Sequence, residues 1–192
     1  MKILFANLKG GSGKTTLAIH LANYLYYYRN NEICLISFQD NGNLKGIATM
    51  QRCPYPVLEK TFIPPITGVD KDFLIMETGN NKFSTELGML IDQCDILITP
   101  FQYQLLDFQA LRSFFNFIKP FYHLNRKYFA LPNYILSYQH PKSHAATDEL
   151  ITQAGFLLLP PITSSRYISS ISFRQPSKQV MNIYRAAFSR IL

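Results

Sequence analysis

Lys9-Gly10-Gly11-Ser12-Gly13-Lys14-Thr15-Thr16 decides how this chain is read. Ahead of it, Ile3-Leu4-Phe5-Ala6 is a short apolar run that predicts a strand. Behind it, Thr16 to Tyr28 predicts a helix, with Leu17, Leu21 and Leu25 returning on one face. Strand, glycine-rich turn and helix, in that order, are the setting in which such a loop holds phosphate. Glycine at 10, 11 and 13 lets the backbone turn so that successive N–H groups converge, with no Cβ holding a ligand away. The helix adds the positive end of its dipole and its unpaired N–H groups. Lys14 is then placed to reach the β and γ phosphates of a nucleotide, and the Thr15 hydroxyl to ligate Mg2+. Thr16 caps the helix or touches the α phosphate.

A chance glycine-rich turn with two solvated lysines would not explain why strand, glycines, Lys-Thr pair and helix all agree. The loop departs from the common pattern G-x-x-x-x-G-K-[ST] in two ways: Leu8 holds the first glycine position, and a second lysine, Lys9, stands just inside. K-G-G-x-G-K-T-T is similar to the deviant Walker A box of the ParA/MinD family of ATPases, whose members include plasmid and chromosome partition proteins. The resemblance implies ATP and Mg2+ as cofactors, with Lys9, Gly10, Gly11, Ser12, Gly13, Lys14, Thr15 and Thr16 at the nucleotide. It also implies a catalytic role for Lys9, which would cross to the nucleotide of a second subunit in an ATP-dependent homodimer.

Composition narrows the field from another side. At 192 residues the chain suits one domain, 1–192, with a sizeable core. Hydrophobic residues make up 47% and charged residues 16%, which argues against disorder. No apolar run reaches membrane-spanning length, and Lys2 to Gly13 does not resemble a signal peptide, so a cytoplasmic location is expected. Cys34, Cys53 and Cys94 have no C-x-x-C spacing and read as reduced thiols, which disfavours a metal-cluster member of the superfamily. Charge is uneven: residues 1–111 carry nine Lys/Arg against ten Asp/Glu, whereas residues 112–192 carry ten against two. The C-terminal part is thus a candidate surface for nonspecific DNA, the alternative being solvated helix faces that happen to be basic.

The acidic positions are less regular. Glu32 to Phe38 is an apolar run suited to a strand buried on both faces. The family reads D-x-D-P-Q at the end of this strand, where the chain has Ser37-Phe38-Gln39-Asp40-Asn41. The position implied to activate the attacking water is Gln39. Either Gln39 orients that water through its amide, or Asp40 swings in to replace the missing acid, or hydrolysis is slow or lost. Gly42 to Pro65 carries four prolines and predicts loop with one or two short elements. Asp72-Phe73-Leu74-Ile75-Met76-Glu77-Thr78-Gly79 looks like a Walker B strand, in which Glu77 stands where relatives have Asp and would hold a metal-bound water.

Ser84 to Gln93 predicts a helix, followed by a strand at Ile96-Leu97-Ile98 that Pro100 is expected to stop. Cys94 to Gln102, with Leu106-Asp107, is similar to the family's A-D-x-x-x-x-P-x-x-P-x-x-x-D-L stretch. Asp107 is expected to begin a helix reaching about Ile118, near the dimer interface in partition ATPases. Further strands are expected at Asn133 to Ser137 and at Gly155 to Leu159. Pro160 opens a loop that resembles the one beside the adenine. His140, His144 and Asp148 recur every fourth residue, but Pro141 breaks the helix a metal site would need, and a solvated turn is expected. Val180, Ile183, Tyr184, Ala187, Phe188 and Ile191 make the last helix amphipathic. It is expected to dock on the core; relatives of the MinD kind lay such a helix on a membrane.

Together these features predict a doubly wound α/β domain with a mostly parallel sheet. The resemblance implies a small partition ATPase, gripping DNA through its basic part and released by a small centromere-binding activator protein. A nucleotide-binding regulatory or scaffold module with little hydrolysis is the competing expectation, favoured by Ser37, Gln39 and Glu77.

Overall fold

The computed structural model describes residues 1–38, 43–60, 70–79, 84–135, 144–164 and 171–192. Strand β1 (Lys2–Phe5) leads into helix α1 (Lys14–Arg29), followed by β2 (Ile33–Phe38), α2 (Leu44–Met50), β3 (Val57–Glu59) and β4 (Phe73–Thr78). Then come α3 (Thr85–Gln93), β5 (Ile96–Phe101), α4 (Leu105–Ile118), β6 (Lys127–Pro132), α5 (Ala145–Gln153), β7 (Leu157–Leu158) and α6 (Lys178–Ile191). The strands form one seven-stranded sheet in the order β3-β2-β4-β1-β5-β6-β7, every pairing parallel. This is the doubly wound α/β domain that the motifs predict.

Alternation along the strands divides the core into two layers. Ile3, Phe5, Ile33, Leu35, Ile75, Ile96, Ile98, Phe129 and Leu131 face a layer built with Leu17, Leu21 and Leu25 of α1 and Tyr184, Phe188 and Ile191 of α6. Leu4, Ala6, Cys34, Ile36, Leu74, Met76, Leu97, Tyr128 and Ala130 face the other, built with Leu87, Leu90 and Ile91 of α3, Leu111 and Phe114 of α4 and Ile151 of α5. A sheet covered on both sides must be apolar on both, which is why its central strands read as unbroken hydrophobic runs.

Several boundaries differ from expectation, and the strand expected at Gly155 to Leu159 is reduced to the two residues of β7. Pro100 does not stop β5, which continues through Phe101. The Ile98 carbonyl accepts from the Ala6 N–H at 3.0 Å, so Pro100, two residues on, turns its N–H-free nitrogen to the same side, beyond the end of β1. Its carbonyl is taken by Asn7 Nδ2 at 2.6 Å. Helix α4 begins at Leu105, two residues before Asp107, which sits in the first turn with its carboxylate folded back onto the Gln102 N–H at 3.0 Å. The strand expected from Asn133 lies earlier, as Lys127-Tyr128-Phe129-Ala130-Leu131-Pro132. Two positively charged neighbours, Arg126 and Lys127, obscure its start in the sequence, although Tyr128 to Pro132 are all buried. Beyond it, Ile135 keeps only an isolated bridge to Thr163, and residues 136 and 137 lie outside the described residues.

Helix α6 docks as expected. Ser177 caps it, accepting the Val180 N–H at 3.3 Å, and Tyr184 stacks on His20 of α1 with ring centroids 4.5 Å apart. Its apolar face is therefore covered by the domain's own core. No helix among the described residues is long and apolar enough to cross a membrane.

Candidate functional site

The glycine loop leaves the end of β1 at the C-terminal edge of the sheet. There the chain passes leftward to β2 and later rightward from β4 to β5, the kind of switch point at which open α/β sheets bind ligands. Asn7, buried at the strand end, holds both sides of the turn: its Nδ2 donates to Pro100 O, and its Oδ1 accepts the Lys9 N–H at 2.9 Å. Gly11 and Gly13 adopt φ of 75° and 94°, a left-handed backbone that side chains disfavour. A Cβ on Gly13 would lie 2.2 Å from Asn133 Nδ2, which donates to Ser12 O at 3.0 Å. The loop is thus clamped from β1 and from the segment after β6.

Above α1 this leaves a cavity of about 270 Å³ lined by Gly11, Gly13, Lys14, Thr15, Thr16, Thr78, Gly79 and Tyr134. Lys14 is buried, and its ammonium donates to Lys9 O at 3.0 Å. Burial pulls its pKa down to about 8, against the opposing pull of the Glu77 carboxylate. The first turn of α1 has no acidic residue to neutralise its dipole.

Strand parity explains the acid. Ser37 and Glu77 share the parity of Leu35 and Ile75, so both point to the face covered by α1. Glu77 Oε2 accepts from Thr15 Oγ1 at 3.0 Å, and Glu77 Oε1 accepts from Ser37 Oγ. Both Ser37 and Glu77 are 0% exposed. Lys9 is held elsewhere: its ammonium pairs with the buried carboxylate of Asp107 on α4.

The family model for the CobQ/CobB/MinD/ParA nucleotide binding domain matches residues 3–174. The chain belongs to that family. The ParA/MinD fold is also seen in solved structures. A plasmid partition protein from Borrelia burgdorferi, bound to AMPPNP, superposes with a TM-score of 0.66 at 17% identity, covering 99% of this chain and 98% of that one. A ParA family ATPase from Chlorobium tepidum gives 0.69 at 13% identity, with 98% and 96% covered. The pNOB8 ParA bound to nonspecific DNA gives 0.63 at 14%, with 99% and 95% covered. At such identities the likeness is one of fold. No curated protein matches the sequence.

The residues present fit a magnesium nucleoside triphosphate on grounds internal to this structure. Ser12 Oγ is buried with no hydrogen-bond partner among the described residues, the Gly13 cradle excludes a Cβ, and Lys14 and the Thr15 and Glu77 pair converge at the helix start. Lys14 and the loop N–H groups would hold phosphate oxygens, and Thr15 and Glu77 the metal and its water. The metal would supply charge neutralisation at the phosphates.

Of the residues expected at this ParA/MinD-type site, Gly11, Gly13, Lys14, Thr15 and Thr16 line the cavity and Glu77 meets Thr15 behind it. Gly10 is exposed, Ser12 is buried beneath the turn, and Lys9 faces α4. Pro160 is not among the lining residues, and Gln39 and Asp40 lie outside the described residues. Sequence reasoning missed Asn7, Asn133 and Tyr134. Tyr134 has φ of 55°, uncommon for a non-glycine residue, and lines the cavity, but backbone angles carry no sequence signal.

Where a solvated turn is expected, Asp148 lies in the first turn of α5 and His144 at its cap, both half-buried and engaged by Tyr103. Tyr103 donates to Asp148 Oδ1 at 2.7 Å, and its ring stacks on that of His144 at 3.5 Å. No metal-binding cluster of His, Cys, Asp and Glu occurs among the described residues; His140 lies outside them. Cys34, Cys53 and Cys94 are free thiols, and burial pushes Cys94 up to about 12, leaving it unreactive.

Proposed function

We propose that this chain is a partition-type ATPase that binds Mg-ATP, pairs face to face with a second copy, and in that state holds DNA nonspecifically. The single observation carrying the reading is the assembly of Lys14 and Thr15 on a glycine cradle with Glu77 behind Thr15, and with Lys9 presented beside it on a separate support. Lys9 has an exposed fraction of 24%, so it can reach a second subunit once it leaves Asp107. Of the basic side chains of the C-terminal part, Arg174, Lys178, Arg185 and Arg190 are exposed on or just before α6 and supply positive charge on that side of the sheet; pairing two subunits would double it. The pNOB8 ParA, similar in fold, has a solved structure bound to nonspecific DNA. Hydrolysis, stimulated by a small centromere-binding protein, would then dissolve the pair and release the DNA in the cytoplasm.

The same site favours a second reading in one respect. Ser37 occupies the place where the resemblance leads one to expect an acid, so one carboxylate, Glu77, serves where two would. A nucleotide-locked regulatory or scaffold module that turns over slowly fits that feature. One experiment separates them: molecular mass and ATP turnover measured together, with Mg2+, with and without DNA. A monomer under every condition refutes both readings, a dimer that turns over ATP supports the partition cycle, and a dimer without turnover supports the scaffold.

A further inference from the structure

The pairing of Ser37 with Glu77 says more than that an acid is missing. The two residues are direct register partners on adjacent parallel strands, β2 and β4, and both point toward α1. Neighbouring strands lie about 4.8 Å apart, so two side chains in register on one face necessarily share space. Here a short side chain stands beside a long one. The Ser37 hydroxyl has no exposure, donates to Glu77 Oε1, and leaves Oε2 aimed at Thr15 Oγ1 at 3.0 Å. Glutamate has one more rotatable bond than aspartate, and a buried carboxylate that can swing is a poor partner for a metal. A donor fixed on the next strand removes that freedom.

We propose that Ser37 is a positioning residue for the metal half of the site: it anchors Glu77 through Oε1, so that Oε2 and the Thr15 hydroxyl are presented together to Mg2+ on a bound nucleotide. The chain thereby runs its metal site with one long carboxylate braced by a serine. Ser37 touches neither nucleotide nor metal; it acts through Glu77. With Mg2+ bound the bracing bond would be made to an ionised carboxylate, and such charge-assisted bonds are roughly twice as strong as neutral ones. The proposal rests on the reading of the cavity as a Mg-ATP site.

The test compares wild type, Ser37→Ala and Ser37→Thr. Ser37→Ala removes one atom from a buried site, and Ser37→Thr restores the hydroxyl. The quantity measured is the ratio of ATP affinities with Mg2+ and with EDTA, by calorimetry, alongside the melting temperature of the nucleotide-free proteins. The expected result is a ratio that falls roughly tenfold or more in Ser37→Ala and recovers in Ser37→Thr, a pattern that a merely structural serine would not give. A ratio in Ser37→Ala equal to wild type overturns the proposal while the Mg-ATP reading stands. Wild type that binds ATP equally with Mg2+ and EDTA overturns the metal assignment and this proposal together, and wild type that binds no ATP overturns the functional reading as well.

Discussion

The ammonium of Lys9, in the phosphate loop, rests on the carboxylate of Asp107, a residue 98 positions later and buried in the first turn of α4. That carboxylate also accepts the Gln102 N–H, so it is fixed before Lys9 arrives. The residue expected to reach a second subunit is therefore engaged within its own. Breaking this ion pair has to accompany any use of Lys9 across an interface.

Asp107→Asn keeps the shape and the contact to Gln102 but removes the charge that holds Lys9. If Lys9 serves a second subunit, the variant should pair at roughly a hundredfold lower protein concentration in Mg-ATP than wild type, since in each of the two subunits a charge-assisted contact of about 1.5 kcal/mol no longer opposes release. Sedimentation across a concentration series measures this. Weaker pairing than wild type would show that Asp107 supports the interface instead of restraining it.

Lys14 makes the empty protein pH-sensitive. Its folded pKa of about 8 lies below the ordinary value of 10.5, so between these the unfolded chain binds the extra proton and stability rises with pH. Below pH 8 both states carry the proton and the cost is complete, on the order of 3 kcal/mol. Lys14→Met should therefore stabilise the nucleotide-free protein at pH 7 by a similar order, and the gain should shrink toward pH 10.5. ATP affinity should also weaken as pH rises through 8, because the phosphates require the charged form. Urea titrations and calorimetry at several pH values read both effects; a Lys14→Met protein no more stable than wild type at pH 7 would contradict the buried ammonium.

Gly13 should tolerate nothing larger. An alanine there meets Asn133 Nδ2 at 2.2 Å and demands a φ of 94°. The left-handed backbone costs about 1–3 kcal/mol, and displacing Asn133 removes its bond to Ser12 O as well. Gly11→Ala is the control, since its Cβ would meet nothing within 4 Å and only the backbone term, at φ of 75°, applies. Melting temperatures of the two variants should differ, with Gly13→Ala the lower; equal values would count against the clamp from Asn133.

Phe188 tests the role of the last helix. It is fully buried, stacked on Tyr184 at 5.1 Å and tilted against Tyr24 of α1 at 5.8 Å. Phe188→Ala should cost about 3–5 kcal/mol of domain stability, read by denaturant unfolding. A cost under about 1 kcal/mol would mean that the helix is not part of the folding unit.

The sequence by itself determined the fold class and half of the site. Glycines, Lys14 and Thr15 act within a few residues of one another, so their chemistry is local and their order in the chain suffices. The runs Ile33 to Phe38 and Phe73 to Glu77 disclose strands because a sheet covered on both faces leaves them no polar side. The amphipathic period of α6 disclosed its docking face for the complementary reason, that its other side meets water.

What only the tertiary structure decided were relations between distant residues. Parity within β2 and β4, together with their register, turns Ser37 and Glu77 from two irregular positions into one hydrogen-bonded pair facing Thr15. Asn133 reaches Ser12 across 121 residues, and Asp107 reaches Lys9 across 98. Pro100 is tolerated in β5 only because β1 has ended beside it and Asn7 takes its carbonyl. Side-chain type and spacing report what a segment prefers alone; which segment lies beside it, and in which register, is set by packing the two core layers against the sheet, and no local pattern encodes that.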